Sequence, residues 1–228
     1  MNKNFLINLL PTETQEEFFY KAKLIDLELS NIICKAEEPI EFLYFPVDGF
    51  ISLLQSIDSH QPLEVGMIGR EGVLGSESLL GQNSHIFGAI VQGAGTAWRI
   101  ESKDFLVLAN KSQKLKSLIK TYLAVRISQL GLSAACEHFH EIGPRLAKWL
   151  LMSQDRAHLP TFLMTHEFIS LMLGVRRVGI TTVAADFRRR GLIEYHRGEM
   201  RILNRVALKA ESCSCYQKNK KMYLSLIH

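Results

Sequence analysis

A glycine set between two short amphipathic segments, the second of them basic, constrains this chain more than any other feature of its 228 residues. In the first segment Thr165 suits an N-cap, Glu167 places negative charge at the positive end of a helix dipole, and Phe168, Ile169, Met172 and Leu173 share one face. Gly174 accepts the left-handed conformation that ends a helix, and Val175 fills the space behind it. Arg176 and Arg177 open the second segment, in which Ile180, Val183, Ala184 and Phe187 recur at three- and four-residue spacing. That spacing leaves Arg177, Val178, Thr181, Thr182 and Arg188 facing outward. The pattern is that of a helix-turn-helix, whose second helix enters the major groove of double-stranded DNA with its N-terminal residues. Arg177 suits a bidentate contact with guanine, while Thr181 and Thr182 suit a thymine methyl or a phosphate.

Residues 191–203 extend the motif as two short strands around Arg197-Gly198, the signature of a wing. The candidate DNA-contacting residues are therefore Thr165, Arg176, Arg177, Val178, Thr181, Thr182 and Arg188, with Arg197 at the wing tip for a phosphate or the minor groove. Arg189 and Arg190 follow Arg188 and complement the C-terminal dipole of the helix. Charge is divided in the same sense. Residues 1–110 hold 7 Lys/Arg and 15 Asp/Glu, a net of −8, whereas residues 111–228 hold 20 and 8, a net of +12, which together make +4. A basic C-terminal half suits phosphate neutralisation, and the acidic half suits a sensing or interaction module.

An apolar content of 47% supports sizeable cores. No run approaches the length of a membrane span, and four scattered cysteines do not form a disulfide framework, so a cytoplasmic protein with no membrane partner is expected. Thr14 and Glu17 resemble a capping box at the start of a helix. Candidate strands follow at 24–29, 32–35, 41–45, 50–57, 63–68, 86–92 and 96–100, bounded by Pro39, Pro46, Gly49, Gly69, Gly93 and Gly95. The expected class is α+β: residues 1–110 an antiparallel β jelly roll, 111–140 a long dimerisation helix, and 141–228 the winged helix-turn-helix with its tail. Along the long helix Leu115, Leu118, Tyr122, Val125, Gln129 and Leu132 keep a 3-4 spacing that predicts a homodimer seam, with Leu123, Ile127 and Leu130 turned toward the β domain. A two-fold dimer implies a roughly palindromic operator. Gly143-Pro144 breaks the helix and starts another, with Leu146, Trp149, Leu150 and Met152 on its buried side.

This order of elements resembles the Crp/Fnr superfamily of transcriptional regulators. The residues that carry the resemblance are Tyr44-Phe-Pro46 with Gly49-Phe-Ile-Ser-Leu53, the run from Glu64 to Gly75, Arg145 to Met152, Leu173 to Arg177, Gly191-Leu-Ile193 and Cys213-Ser-Cys-Tyr216. The resemblance implies a cyclic-nucleotide-binding-like domain and a regulator that also touches RNA polymerase. It also implies specific departures. Cyclic-AMP-binding members hold the ribose and phosphate with a Gly-Glu-Leu turn and a later Arg, whereas the comparable turn here is Gly72-Val73-Leu74-Gly75 and no Arg falls between Arg70 and Arg99. Tight cyclic-AMP binding is therefore not expected. Only Cys34 lies in the first 135 residues, too few for an iron-sulfur cluster. Members reading TGTGA present Arg, Glu and Arg, against Arg177, Val178 and Thr182 here, so a different operator is expected.

No cofactor is expected, and the small-molecule effector is left unknown. Cys136 and His140 stand one turn apart with no further metal ligands evident, so a packed cysteine beside exposed histidines is the expected arrangement. Cys213 and Cys215 fall in an expected exposed tail, where they suit a thiol sensor, and His60 and His85 are expected on the surface. Residues 1–110 contain only those two histidines and no HxH pair, which argues against a jelly-roll metalloenzyme. The remaining alternative is a signalling adaptor whose β domain binds a ligand and whose helical end binds protein.

Overall fold

Two long strands organise the N-terminal half: β3 (Phe42–Gln55) and β5 (Gly88–Glu101). They pair antiparallel along their length, Leu43 opposite Ile100 and Leu54 opposite Gly88. In the computed structural model, which describes residues 4–58, 60–157, 161–196 and 198–226, β1 (Lys23–Leu27) and β2 (Ile32–Cys34) add to β5, and β4 (Leu63–Ile68) adds to β3. Each long strand was expected as two short ones. Pro46 and the nearby glycines do not end them; they bend them, through register shifts between Pro46 and Ile51. Gly49 has φ +74°, and a Cβ there would lie 2.2 Å from the Gly93 carbonyl oxygen. A Cβ on Gly95 would lie 2.2 Å from that of Asp48. The two backbones thus approach where no side chain fits.

The roll is closed on one side by α1 (Phe5–Asn8), α2 (Thr12–Lys21) and α3 (Ser102–Lys111). Helix α2 begins after Pro11, so the Thr14 capping box does not form; the Thr14 hydroxyl instead meets Ser112 Oγ at 3.3 Å. The 27-residue α4 (Gln113–Phe139) then runs across the roll.

The stripe expected to meet a partner turns inward. Leu115, Leu118, Tyr122 and Val125 are buried with Phe18, Leu43, Phe45, Ile100 and Phe105 in the core of the roll, and Leu132 packs beside Cys136. Gln129 is buried too, accepting from Arg126 at 2.9 Å rather than standing ready for a symmetry mate. Ile127, expected on the β domain, is 69% exposed, and Leu123 and Leu130 are half-buried. Heptad spacing marks a stripe without saying which surface it meets, and the bulkier stripe gains more by joining the nearer core.

After His140 the chain enters α5 (Ile142–Ala157), with Pro144 in the first turn where its missing N–H costs nothing. Then come β6 (Thr161–Leu163), α6 (His166–Met172), α7 (Arg177–Arg189), β7 (Ile193–His196) and β8 (Glu199–Ile202), the strands forming a sheet in the order β6-β8-β7. Helices α8 (Arg205–Glu211) and α9 (Cys215–Met222) and a final turn of 3₁₀ helix, Tyr223–Leu226, complete it. The tail expected to be exposed is thus helical, and Cys213 and Cys215 are buried. His85 is buried as well, 3.5 Å from Glu77. Leu146, Trp149, Leu150, Ile169, Ile180, Phe187 and Met200 form the second core, which Phe50 and Met67 of the roll also enter. Among the described residues no single helix is long and apolar enough to cross a membrane.

Candidate nucleic-acid interface and its coupling to the sensor

Thr165 caps α6, its hydroxyl accepting from Phe168 N–H at 3.1 Å. The helix ends in a pair of bonds from Val175 N–H to the Ser170 carbonyl (3.0 Å) and from Gly174 N–H to the Leu171 carbonyl (3.1 Å), with Gly174 at φ +61°. This is a Schellman closure, and it turns the chain by 115° into α7. Ile180, Ala184 and Phe187 are buried on the inner face of α7, with Val183 half-buried. Arg176, Arg177, Val178, Thr181, Thr182 and Arg188 lie on its exposed face, as does Thr165 at the cap of α6. Arg177 lies 3.8 Å from Glu167 across the turn. Thr181 and Thr182 donate their hydroxyl protons to the carbonyls of Arg177 (3.1 Å) and Val178 (3.0 Å). Arg189 and Arg190 are held by Asp186, and Arg190 also by Glu211. Arg197 lies outside the described residues.

His166 escaped the sequence reading. Its ring stacks on Tyr195 of the wing at 4.3 Å, and Nδ1 sits 3.2 Å from Thr181 Oγ1. Burial and the nearby Arg177 push it below the usual histidine range, so it stays neutral and fixes the wing against both helices. Only a contact between residues 15 and 29 positions apart reveals this role, and periodicity carries no such signal.

The head is locked to the roll. Trp149 Nε1 donates to Glu64 at 3.0 Å and Arg156 to Glu71 at 2.8 Å, while within the head Arg145 ties α5 to the end of α6 through the Leu173 carbonyl at 2.5 Å. Glu64 is buried, and desolvation raises it to about 7. Ser52 Oγ lies 2.6 Å from Glu64 and also against Gln92 Oε1. One hydroxyl has one proton to give: a protonated Glu64 donates to Ser52, which donates on to Gln92, and an ionised Glu64 accepts from Ser52, with the Gln92 amide turned to donate its N–H.

In the turn comparable to the nucleotide-binding one, Val73 and Leu74 are buried, and Leu74 pairs with Tyr44 through two backbone bonds. A Cβ on Gly72 would lie 2.4 Å from the Tyr122 hydroxyl, so the phenol of α4 already fills the space beside this turn. Asn4 donates to the carbonyls of Pro46 (2.9 Å) and Gly72 (3.0 Å), and Arg70 stacks on Phe5 at 4.8 Å, pinning α1 over it. A cavity of about 930 Å³ opens farther out, between α1, the Arg70-Glu71 corner, α5 and the C-terminal helices.

Cys136 and His140 are joined by Cys213 and Cys215. The Cys213 thiol beside Cys136, together with Lys148, holds the Cys136 thiol well below its usual range.

A β-roll sensor joined by a long helix to a winged helix-turn-helix with an exposed basic second helix defines a DNA-binding transcriptional regulator rather than an enzyme. Residues 25–112 match the family described as cyclic nucleotide-binding domain, and residues 144–211 match the Crp-like helix-turn-helix domain. The chain is 25% identical over 183 residues to the global nitrogen regulator of Synechococcus elongatus, covering 76% of this chain and 82% of that one. Among solved structures, FixK2 from Bradyrhizobium japonicum superposes with a TM-score of 0.71 at 15% identity, over 85% of this chain and 98% of that one. A CRP-family transcriptional regulator from Thermus thermophilus gives 0.68 at 18% identity, over 82% and 96%. The chain is a regulator of the Crp/Fnr type.

Proposed function

We propose that the chain acts as a homodimer on a roughly palindromic operator, with residues 1–110 sensing an effector, 111–140 pairing the protomers and 141–228 reading DNA. The observation that carries this reading is the exposed, basic N-terminal half of α7. Arg177 reads a guanine once DNA replaces Glu167 as its partner, and Arg176, Arg188, Thr165 and Arg197 hold phosphates or the groove edge. Thr181 and Thr182 have given their protons to the helix, which favours a thymine methyl over a phosphate, and the apolar Val178 beside them suits the same group. The dimer seam is the outward face of α4. Ala124, Ile127, Gly131 and Ala134 are exposed there at 3-4-3 spacing, and a Cβ on Gly131 would meet nothing within 4 Å. Small residues at that spacing permit close approach of a second α4, and a two-fold pair sets two copies of α7 about 34–36 Å apart, one DNA turn. Contact with RNA polymerase is what the resemblance to this family of regulators implies.

The filled space around Gly72, Val73 and Tyr122 supports an effector other than cyclic AMP. Selection of bound duplexes from random DNA by the full chain, with and without cell-extract small molecules, tests the whole reading. The expected product is a palindrome without the TGTGA half-site; retention of DNA without sequence preference under both conditions overturns it.

A further inference from the structure

Four ligating side chains from distant parts of the sequence meet at the end of α4. Cys136 and His140 come from its last turn, Cys213 follows α8, and Cys215 opens α9. Their ligand atoms all lie within 4.8 Å of one another. Cys136 Sγ is 3.6 Å from Cys213 Sγ, and Cys215 Sγ is 3.8 Å from His140 Nδ1. A tetrahedral zinc ion with Zn–S of about 2.3 Å and Zn–N of about 2.0 Å spaces its ligand atoms by roughly 3.5–3.8 Å, close to the Cys136–Cys213 and Cys215–His140 separations, and the remaining pairs need close by no more than about an ångström. A disulfide between Cys136 and Cys213 would account for two of the four groups and leave the other two gathered for no reason.

The surroundings agree with a metal. All three cysteines are buried, and Leu132 covers them. Lys148, nine-tenths buried, donates its ammonium to Cys136 Sγ at 3.3 Å. Three thiolates and a neutral imidazole around a divalent ion leave one net negative charge, which Lys148 offsets. Three sulfurs and one nitrogen favour zinc over magnesium, calcium or manganese.

We propose that Cys136, His140, Cys213 and Cys215 form a closed Zn²⁺ site that clasps the end of α4 to the C-terminal helices. All four positions come from the protein and none is left for water or substrate, so the role is structural. Binding displaces the thiol protons into solvent. The two halves of the ligand set bracket residues 141–212, so the part of the head from α5 through α8, with the helix-turn-helix and wing, is the loop that the ion closes.

The test uses the full chain and needs no DNA, so its outcome is independent of the function proposed above. Plasma mass spectrometry of protein purified under reducing conditions is expected to find one zinc per chain. Chelator-stripped, reduced protein titrated with Co²⁺ is expected to show the ligand-field bands of a tetrahedral site and thiolate-to-cobalt charge transfer. Cys213→Ser and Cys215→Ser should each lose charge-transfer intensity, His140→Ala should keep it while weakening the metal, and Cys34→Ser should change neither. Substoichiometric zinc together with no cobalt bands, in wild-type protein that is folded by circular dichroism with its thiols reduced, overturns the proposal. So does a native Cys136–Cys213 disulfide in protein isolated without oxygen.

Discussion

Glu64 sits where a carboxylate is costly to keep charged. It is buried between the roll and the head, with Ser52, Gln92 and Trp149 as neighbours and the cations of Lys148 and Arg156 nearby. Its folded value of about 7 lies above the 4.5 of an unburied glutamate, so the native state binds the extra proton. Stability from this group is complete below about 4.5 and is lost as pH rises through about 7. Glu64→Gln, neutral at every pH, should flatten this part of the profile and gain on the order of 3 kcal/mol relative to wild type above neutrality, measured by urea unfolding from pH 5 to 8. At the DNA surface, Arg177→Ala should cost about 1–3 kcal/mol on the selected operator and relax one base position. Arg188→Ala should weaken all sequences alike and lower the salt slope by about one, and binding isotherms at several salt concentrations separate the two effects.

Helix α4 carries two stripes, one buried in its own roll and one exposed, and the exposed one is the surface assigned to the proposed dimer. Ile127→Glu is expected to yield a folded monomer by analytical ultracentrifugation, with a melting temperature that no longer depends on protein concentration. Leu118→Ala, on the buried stripe, should instead destabilise the chain by about 2–5 kcal/mol without changing its assembly. In the sheet, Gly95→Ala drives a methyl into the Asp48 carbonyl and should lower stability by more than an exposed substitution does. These elements also show what the sequence reveals. The helix-turn-helix was legible because its cap, its glycine and its 3-4 spacing all act within about a turn of chain. Which stripe of α4 enters the core was not, since two stripes of similar period differ only in what the rest of the fold brings against them. The long strands were read as four because a proline or glycine looks the same whether it ends a strand or bends it. Cys213 and Cys215 looked like tail residues because only tertiary packing returns them to Cys136.

Across the whole molecule, the acidic roll and the basic head share a continuous interior, with Phe50 and Met67 crossing from one to the other. Composition foretold the division of charge but not this union. The closing turn carries the union furthest: Leu226 is buried in the core of the roll, and Tyr223 packs beside it among Glu71, Arg156, Arg126 and Gln129. The reading head is therefore anchored at its entrance by α4 and at its exit by that turn. A body held at one end swings freely; held at both, it moves only after one anchorage lets go. Tyr223→Ala with Leu226→Ala is expected to free the second anchorage, speeding hydrogen exchange in α5 and α6 by more than in β3 and β5 of the roll, from whose core the two side chains are also removed. Any movement of the head against the roll therefore begins with release of this latch and of the Glu64–Trp149 and Glu71–Arg156 contacts beside it, and those contacts set its rate.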